Sequence, residues 1–123
     1  MTTDFPYEMT ISALRRAYLS GSLTPEQVMQ TIRKRASEYE DYNIWIHLLS
    51  EAEQAHYLDR LQQLDLARFP LWGIPFAIKD NIDLNEIPTT AACIEFAYTP
   101  TASATVVERL IAAGAIPVGK ANL

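Results

Sequence analysis

The side chain best placed to do chemistry in this sequence is a lysine at the tip of an apolar run. In Gly73-Ile-Pro-Phe-Ala-Ile-Lys-Asp-Asn-Ile-Asp83, strand alternation puts Ile74, Phe76 and Ile78 on one face and Ala77 and Lys79 on the other, and Asp80-Asn81 has the chemistry of a terminating turn. Both faces of this strand read as largely apolar. In open α/β sheets the reacting groups gather at the carboxyl ends of the strands, which is where Lys79 falls. Burial there disfavours the ammonium form, lowers its pKa from the usual value of about 10.4 and makes the amine a proton acceptor near neutral pH. The alternative is a structural lysine paired with Asp80 or Asp83, and spacing alone leaves both open.

The other reactive side chains point less clearly to chemistry. His47 and His56 lie on different elements and read as surface or hydrogen-bonded residues, not ligands. Cys93, the single cysteine, cannot form an internal disulfide and reads as a small buried side chain; neither a CxxC pair nor a histidine cluster suggests a metal site. Ser20-Gly-Ser22 follows a helix that closes at Gly21, a poor setting for a nucleophile. Gly114-Ala-Ile-Pro-Val-Gly-Lys-Ala121 nearly spells a phosphate loop. It follows a helix where a phosphate loop precedes one, however, and Ala121 lacks the hydroxyl that holds magnesium. Lys120 is therefore read as the solvated or structural end of a strand.

The elements that must position Lys79 follow from local signals. Thr10 caps a helix carrying Ile11, Leu14 and Tyr18, closed by Gly21. Thr24-Pro-Glu-Gln27 starts a second helix to about Glu38, with Val28, Ile32 and Ala36 inward and Arg33, Lys34 and Arg35 on the solvated face. Asn43 to Leu49 has the composition of a strand or of an extended connection packed on the core. Ser50-Glu-Ala-Glu53 opens a third helix through about Leu66, burying Ala55, Leu58, Leu61 and Leu64. Arg68 to Leu71 links to the Lys79 strand, and a long loop from about Asp83 to Thr101 follows it. Ser103 then caps a helix carrying Val106, Val107, Leu110 and Ile111, closed by Gly114 and followed by a strand through Ala115-Ile-Pro-Val118.

Strand, helix and strand imply a parallel pair, which is normally covered by helices on both faces. Two such strands do not finish a sheet, and Pro117 belongs at an edge or an irregular position because it cannot donate to a ladder. The fold class is therefore α/β: a helical segment over residues 1–70 leads into a strand-loop-helix-strand unit over 71–123, together the N-terminal part of a single larger domain.

Composition bounds the function. The chain has 123 residues, is 49% hydrophobic and 20% charged, and carries a net charge of −5, which fits a packed globular core and gives no general attraction to nucleic acid or anionic lipid. Trp45, Trp72 and the tyrosines do not alternate with basic residues as a single-strand stacking platform would. The first residues lack the basic and apolar regions of a secretory signal, and no run approaches the roughly 18 apolar residues of a membrane span, so a cytoplasmic protein is expected.

The segment around Lys79, together with Pro88-Thr-Thr-Ala-Ala-Cys93, Ala104-Thr-Val-Val-Glu-Arg-Leu110 and Gly114-Ala-Ile-Pro-Val-Gly-Lys-Ala-Asn122, resembles the amidase-signature family in order and wording. The wording of Thr89 to Pro100, with Leu23-Thr-Pro-Glu26 and Trp45-Ile-His47, is most similar to its allophanate hydrolases of urea degradation. The resemblance implies hydrolysis of a small amide with no metal or organic cofactor. A serine attacks, a second serine in a cis peptide relays its proton, and a lysine matched by Lys79 accepts it. None of the six serines here stands in the glycine- and serine-rich setting that the other two members require, so this stretch alone is expected to be inactive. A non-catalytic fragment or binding module, completed by a homodimer or a complementing chain, is the other reading. Ile94 stands where a proline is common in the family and Ala121 where a threonine is usual; neither change removes a catalytic group.

Overall fold

The computed structural model describes residues 8–122; most of the stretch read for a secretory signal, Met1 to Tyr7, lies outside the described residues, as does Leu123. The helical starts are local chemistry. The Thr10 hydroxyl accepts from the Ala13 N–H at 3.1 Å to begin α1 (Ile11–Ser20), which ends at Gly21 with φ 77°. A reciprocal capping box begins α2 (Pro25–Glu38): the Thr24 hydroxyl accepts from the Gln27 N–H, and the Gln27 side chain accepts from the Thr24 N–H at 2.9 Å. Leu14, Ala17 and Tyr18 of α1 pack with Val28 and Met29 of α2. Ile11, expected inward, sits at the first turn beyond the reach of that cluster and is half exposed. Arg33 is less solvated than expected, because it donates to Gln54 and pairs with Glu51 at 3.6 Å.

The strand alternative for the next segment holds, within the stretch read as helical: β1 (Trp45–Leu48) precedes α3 (Glu51–Arg60). The Ser50–Glu53 capping box forms as read. Helix α3 is shorter than expected, tightening into a 3₁₀ turn over Leu61–Gln63, and the Trp72 indole N–H donates to the carbonyls of Leu61 and Leu64 at that ending. Its buried face also differs: Gln54, Leu58 and Leu61 are buried while Ala55 is exposed. The Gln54 amide is satisfied in the core by donating to the Pro117 carbonyl at 3.0 Å.

Strands β2 (Pro75–Lys79) and β3 (Ile116–Ala121) run parallel, and β1 adds to the other side of β3 antiparallel, giving a three-stranded sheet of order β1-β3-β2. The strand holding Pro117 is thus central. Its proline sits where the β2–β3 register slips, Phe76 facing Pro117 and Ala77 facing Gly119, an irregular position that spares the ladder a missing donor. Ile116 and Val118 join the cluster of α1, α2 and α3. Ile78 instead packs with Leu84, Ile87 and Val107, the last from α4 (Thr105–Ala112). The outer face of β2 is left uncovered, since Ala77 and Lys79 are both exposed. Ser103 does not cap α4. Ala104 takes the cap position, and the Ser103 hydroxyl accepts from the Asn85 N–H at 2.9 Å, tying the loop to the helix start.

The approach of β1 to β3 requires a glycine. A Cβ on Gly119 would lie 2.5 Å from the His47 carbonyl oxygen and 3.0 Å from the Leu48 Cα. Gly119→Ala must push β1 away, and a cost of about 1–3 kcal/mol is expected. Urea denaturation reads it as a lower midpoint at unchanged slope; an unchanged midpoint would mean that β1 yields freely.

Candidate functional site

Lys79 occupies the last position of β2, opposite Ala121 of β3, at the carboxyl ends of the two parallel strands, as the sequence suggested. Its expected burial is not found: Lys79 is exposed. Nor is it the structural partner of Asp80 or Asp83, and its ammonium makes no hydrogen bond or ion pair among the described residues.

The lysine that is buried is Lys120, which the sequence reads as a solvated or structural strand end. Its side chain and that of Asp80 are both 0% exposed, and Nζ lies 3.2 Å from the Asp80 carboxylate. The ammonium also donates to the Thr89 hydroxyl at 3.3 Å and the Pro88 carbonyl at 3.4 Å. Asp80 in turn accepts from the Thr90 hydroxyl, the Thr90 N–H at 3.3 Å and the Ala92 N–H at 3.4 Å. Thr89 passes the network outward by donating to Asp83 at 2.8 Å, and Asp83 also accepts from the Tyr98 hydroxyl at 2.6 Å. The loop after β2 is thereby folded back onto the strand ends, where Thr89 and Tyr98 form an antiparallel bridge. In that loop Ala91 (φ 50°) and Ala92 (φ 63°) are both left-handed, a conformation that costs any residue with a Cβ.

The electrostatics follow from these contacts. Burial alone would raise the Asp80 carboxyl, but the hydrogen bonds from Thr90, Lys120 and Ala92 outweigh it and hold the group below the ordinary carboxylate range. The Tyr98 and Thr89 hydroxyls lower Asp83, and Asp83 correspondingly raises the Tyr98 phenol. Both acids bind protons less readily in the folded chain than in the unfolded one. Their contribution to stability is therefore complete above the unfolded value of about 3.9 and is lost as pH falls through the lower folded values. Melting temperatures taken from pH 6 to pH 2 should hold steady and then fall below about pH 4, and the fall should be shallower in Asp83→Asn; equal slopes would exclude Asp83 from the linkage.

The remaining candidates are accounted for structurally. His47 pairs with Glu53 at 2.9 Å, and the His56 ring lies against Tyr57 with centroids 3.9 Å apart. The Ser20 and Ser22 hydroxyls, 2.9 Å from each other, both donate to the Ala17 carbonyl at the end of α1. The near phosphate loop is strand β3 following α4, so its amides belong to the sheet. Cys93 is exposed, contrary to expectation, because the loop carries it outward; its thiol lies 3.4 Å from a Glu95 oxygen. A cleft lined by Arg33, Tyr39, Glu40, Asn43 and Trp45 does not include Lys79. What sequence reasoning missed is the Asp80–Lys120 pair. The signal was present in a lysine two residues after the uniformly apolar Ala115-Ile-Pro-Val118 run and an acid just past the end of the parallel neighbour.

The chain is similar to known proteins along most of its length. A urea amidolyase of Lachancea kluyveri is 45% identical over 108 residues, covering 84% of this chain and 6% of the relative. A glutamyl-tRNA(Gln) amidotransferase chain of Chloroflexus aggregans is 37% identical over 98% of this chain and 25% of its own length. Among solved structures, the allophanate hydrolase of Kluyveromyces lactis matches 95% of this chain and 19% of its own at a TM-score of 0.77 and 34% identity. The peptide amidase of Stenotrophomonas maltophilia matches 98% of this chain and 26% of its own at a TM-score of 0.83 and 30% identity. The chain thus spans about a quarter or less of the length of these relatives. Residues 26–123 match the Amidase family, and with these relatives the match makes the chain a member of that family.

Proposed function

We propose that this chain contributes the proton-accepting lysine of a cytoplasmic amide C–N hydrolase acting on allophanate. The observation that carries the reading is the place of Lys79: an unpaired amine among the described residues, at the carboxyl edge of two parallel strands, beside a loop held in left-handed backbone. In its unprotonated form the amine accepts a proton passed from a serine nucleophile; the serine attacks the amide carbonyl, the C–N bond breaks as that proton is returned to the leaving nitrogen and ammonia departs, and water then releases the acyl group from the serine. Backbone amides aimed at the developing oxyanion stabilise the tetrahedral state. Both serines and those amides would come from a glycine- and serine-rich segment that is not among residues 1–123. Similarity to a urea amidolyase and an allophanate hydrolase supports this substrate over a peptide amide or a charged transfer RNA.

The test grafts residues 26–122 in place of the matching segment of the Lachancea kluyveri urea amidolyase and measures ammonia release. The graft should release ammonia from allophanate and not from peptide amides. The isolated 123-residue chain should release none, and ammonia from it would overturn the assignment of the nucleophile. Preference of the graft for peptide amides would overturn the substrate.

The second reading, a non-catalytic module completed by a partner, is favoured by the exposure of Ile94 (82%) and Phe96 (56%) in one loop. A monodisperse, cooperatively melting monomer that binds no apolar dye would remove its basis.

A further inference from the structure

We propose that Asp80 and Lys120 are positioning residues for the Lys79 amine, holding the backbone that carries it and clamping the Thr90–Cys93 segment against that backbone. The inference rests on the reading of Lys79 as the proton acceptor, but the clamp can be measured without it.

Every polar group of the residue following Lys79 is used. The Asp80 N–H donates to the Ala121 carbonyl at 3.1 Å, and its carbonyl accepts from the Ala91 N–H at 3.1 Å. Its two carboxylate oxygens take Lys120, Thr90 and Ala92. On the other side, the Lys79 carbonyl accepts from the Ile82 N–H at 2.9 Å, closing the turn. The backbone at Lys79 therefore has no local freedom that does not break a bond to Asp80 or to the turn.

Stability alone does not account for the pair. Removing two charges from water costs more than their attraction commonly returns, and an apolar pair of the same volume would often hold the strands as well. What the charges add is direction. The ammonium fixes the Asp80 carboxylate while binding Pro88 and Thr89, so one lysine joins β3, the end of β2 and the start of the left-handed segment. Two successive alanines at positive φ persist only where the surroundings over-determine them, and the Asp80 carboxylate and carbonyl supply that determination at Ala92 and Ala91. Lysine has a long, freely rotating side chain, so its use as a base depends on how rigidly its root and neighbours are held.

The test uses the double variant Asp80→Asn/Lys120→Met, which removes both charges together and leaves none buried alone. In the urea amidolyase graft, kcat for ammonia release should fall about 100-fold while KM stays within about threefold and the melting temperature is largely kept. In the 123-residue chain the amides of Ala91 and Ala92 should exchange with solvent at least about tenfold faster, with the Ile116 amide of β3 still protected. A stably folded double variant with unchanged kcat, or with Ala91 and Ala92 as protected as before, overturns the proposal. Activity surviving Lys79→Ala in the same graft would instead overturn the functional reading, and the exchange result would still decide the clamp.

Discussion

Lys79→Ala in an ammonia-releasing enzyme that contains this sequence is expected to lower kcat by about 10⁴- to 10⁶-fold, the loss typical of removing one member of a nucleophile–base unit. The same substitution should change stability by no more than about 0.5 kcal/mol, because Lys79 is exposed and its ammonium has no partner among the described residues to lose. That split between activity and stability distinguishes a reacting group from one that holds the strand. Lys79→Arg sharpens the test. It keeps the positive charge, but a guanidinium cannot give up its proton in a protein, so it should be as inactive as alanine if the lysine works as a base. Substantial activity in the arginine variant would assign Lys79 an electrostatic role instead. Ammonia release under saturating allophanate, with a thermal melt of each variant, decides between these outcomes.

How much of this was legible in the sequence depended on how far each signal reaches. The caps at Thr10, Thr24 and Ser50 were legible because a hydroxyl and an amide three residues on are enough to make them, and all three formed. The parallel pairing of β2 with β3 was legible from the order of strand, helix and strand. The inward face of α3 was misjudged because apolar residues were sought, and the position that points inward beside Leu58 belongs to Gln54, whose amide reaches the Pro117 carbonyl 63 residues away. The fate of the lysines was illegible for a related reason. Lys79 was expected to be buried because its strand is apolar, yet its neighbour β3 lies on one side only and the outer face of β2 is left open. Lys120 was read as a solvated or structural strand end, and the structural alternative holds: β3 is the central strand, and the loop after β2 folds over its end so that Asp80, Pro88 and Thr89 surround the ammonium. No local pattern announces which strand will be central. Cys93 was misplaced because nothing in its immediate sequence shows that Asp80 turns the preceding alanines outward into left-handed backbone.

Lys120→Met alone should be the most destabilising single substitution considered for this chain. The methionine fills most of the lysine volume, so little cavity is made, but the Asp80 carboxylate is left buried without its counter-ion, which typically costs about 3–5 kcal/mol. For a chain of this size that corresponds to a fall in melting temperature of roughly 10–20 °C. Adding Asp80→Asn should recover most of the loss, because no buried charge is left uncompensated, although the single amide oxygen can accept from only one of the Thr90 and Ala92 N–H groups, which bond to different carboxylate oxygens. The sign with pH follows from the same residue. In the parent, Asp80 stabilises the fold above the ordinary carboxylate range and stops doing so as acid protonates it; in Lys120→Met the unpaired carboxylate is a liability that protonation relieves. The gap in melting temperature between parent and Lys120→Met should therefore be widest near neutral pH and narrow below about pH 4. A gap that is constant with pH would mean that the cost comes from packing around residue 120 and not from the charge on Asp80.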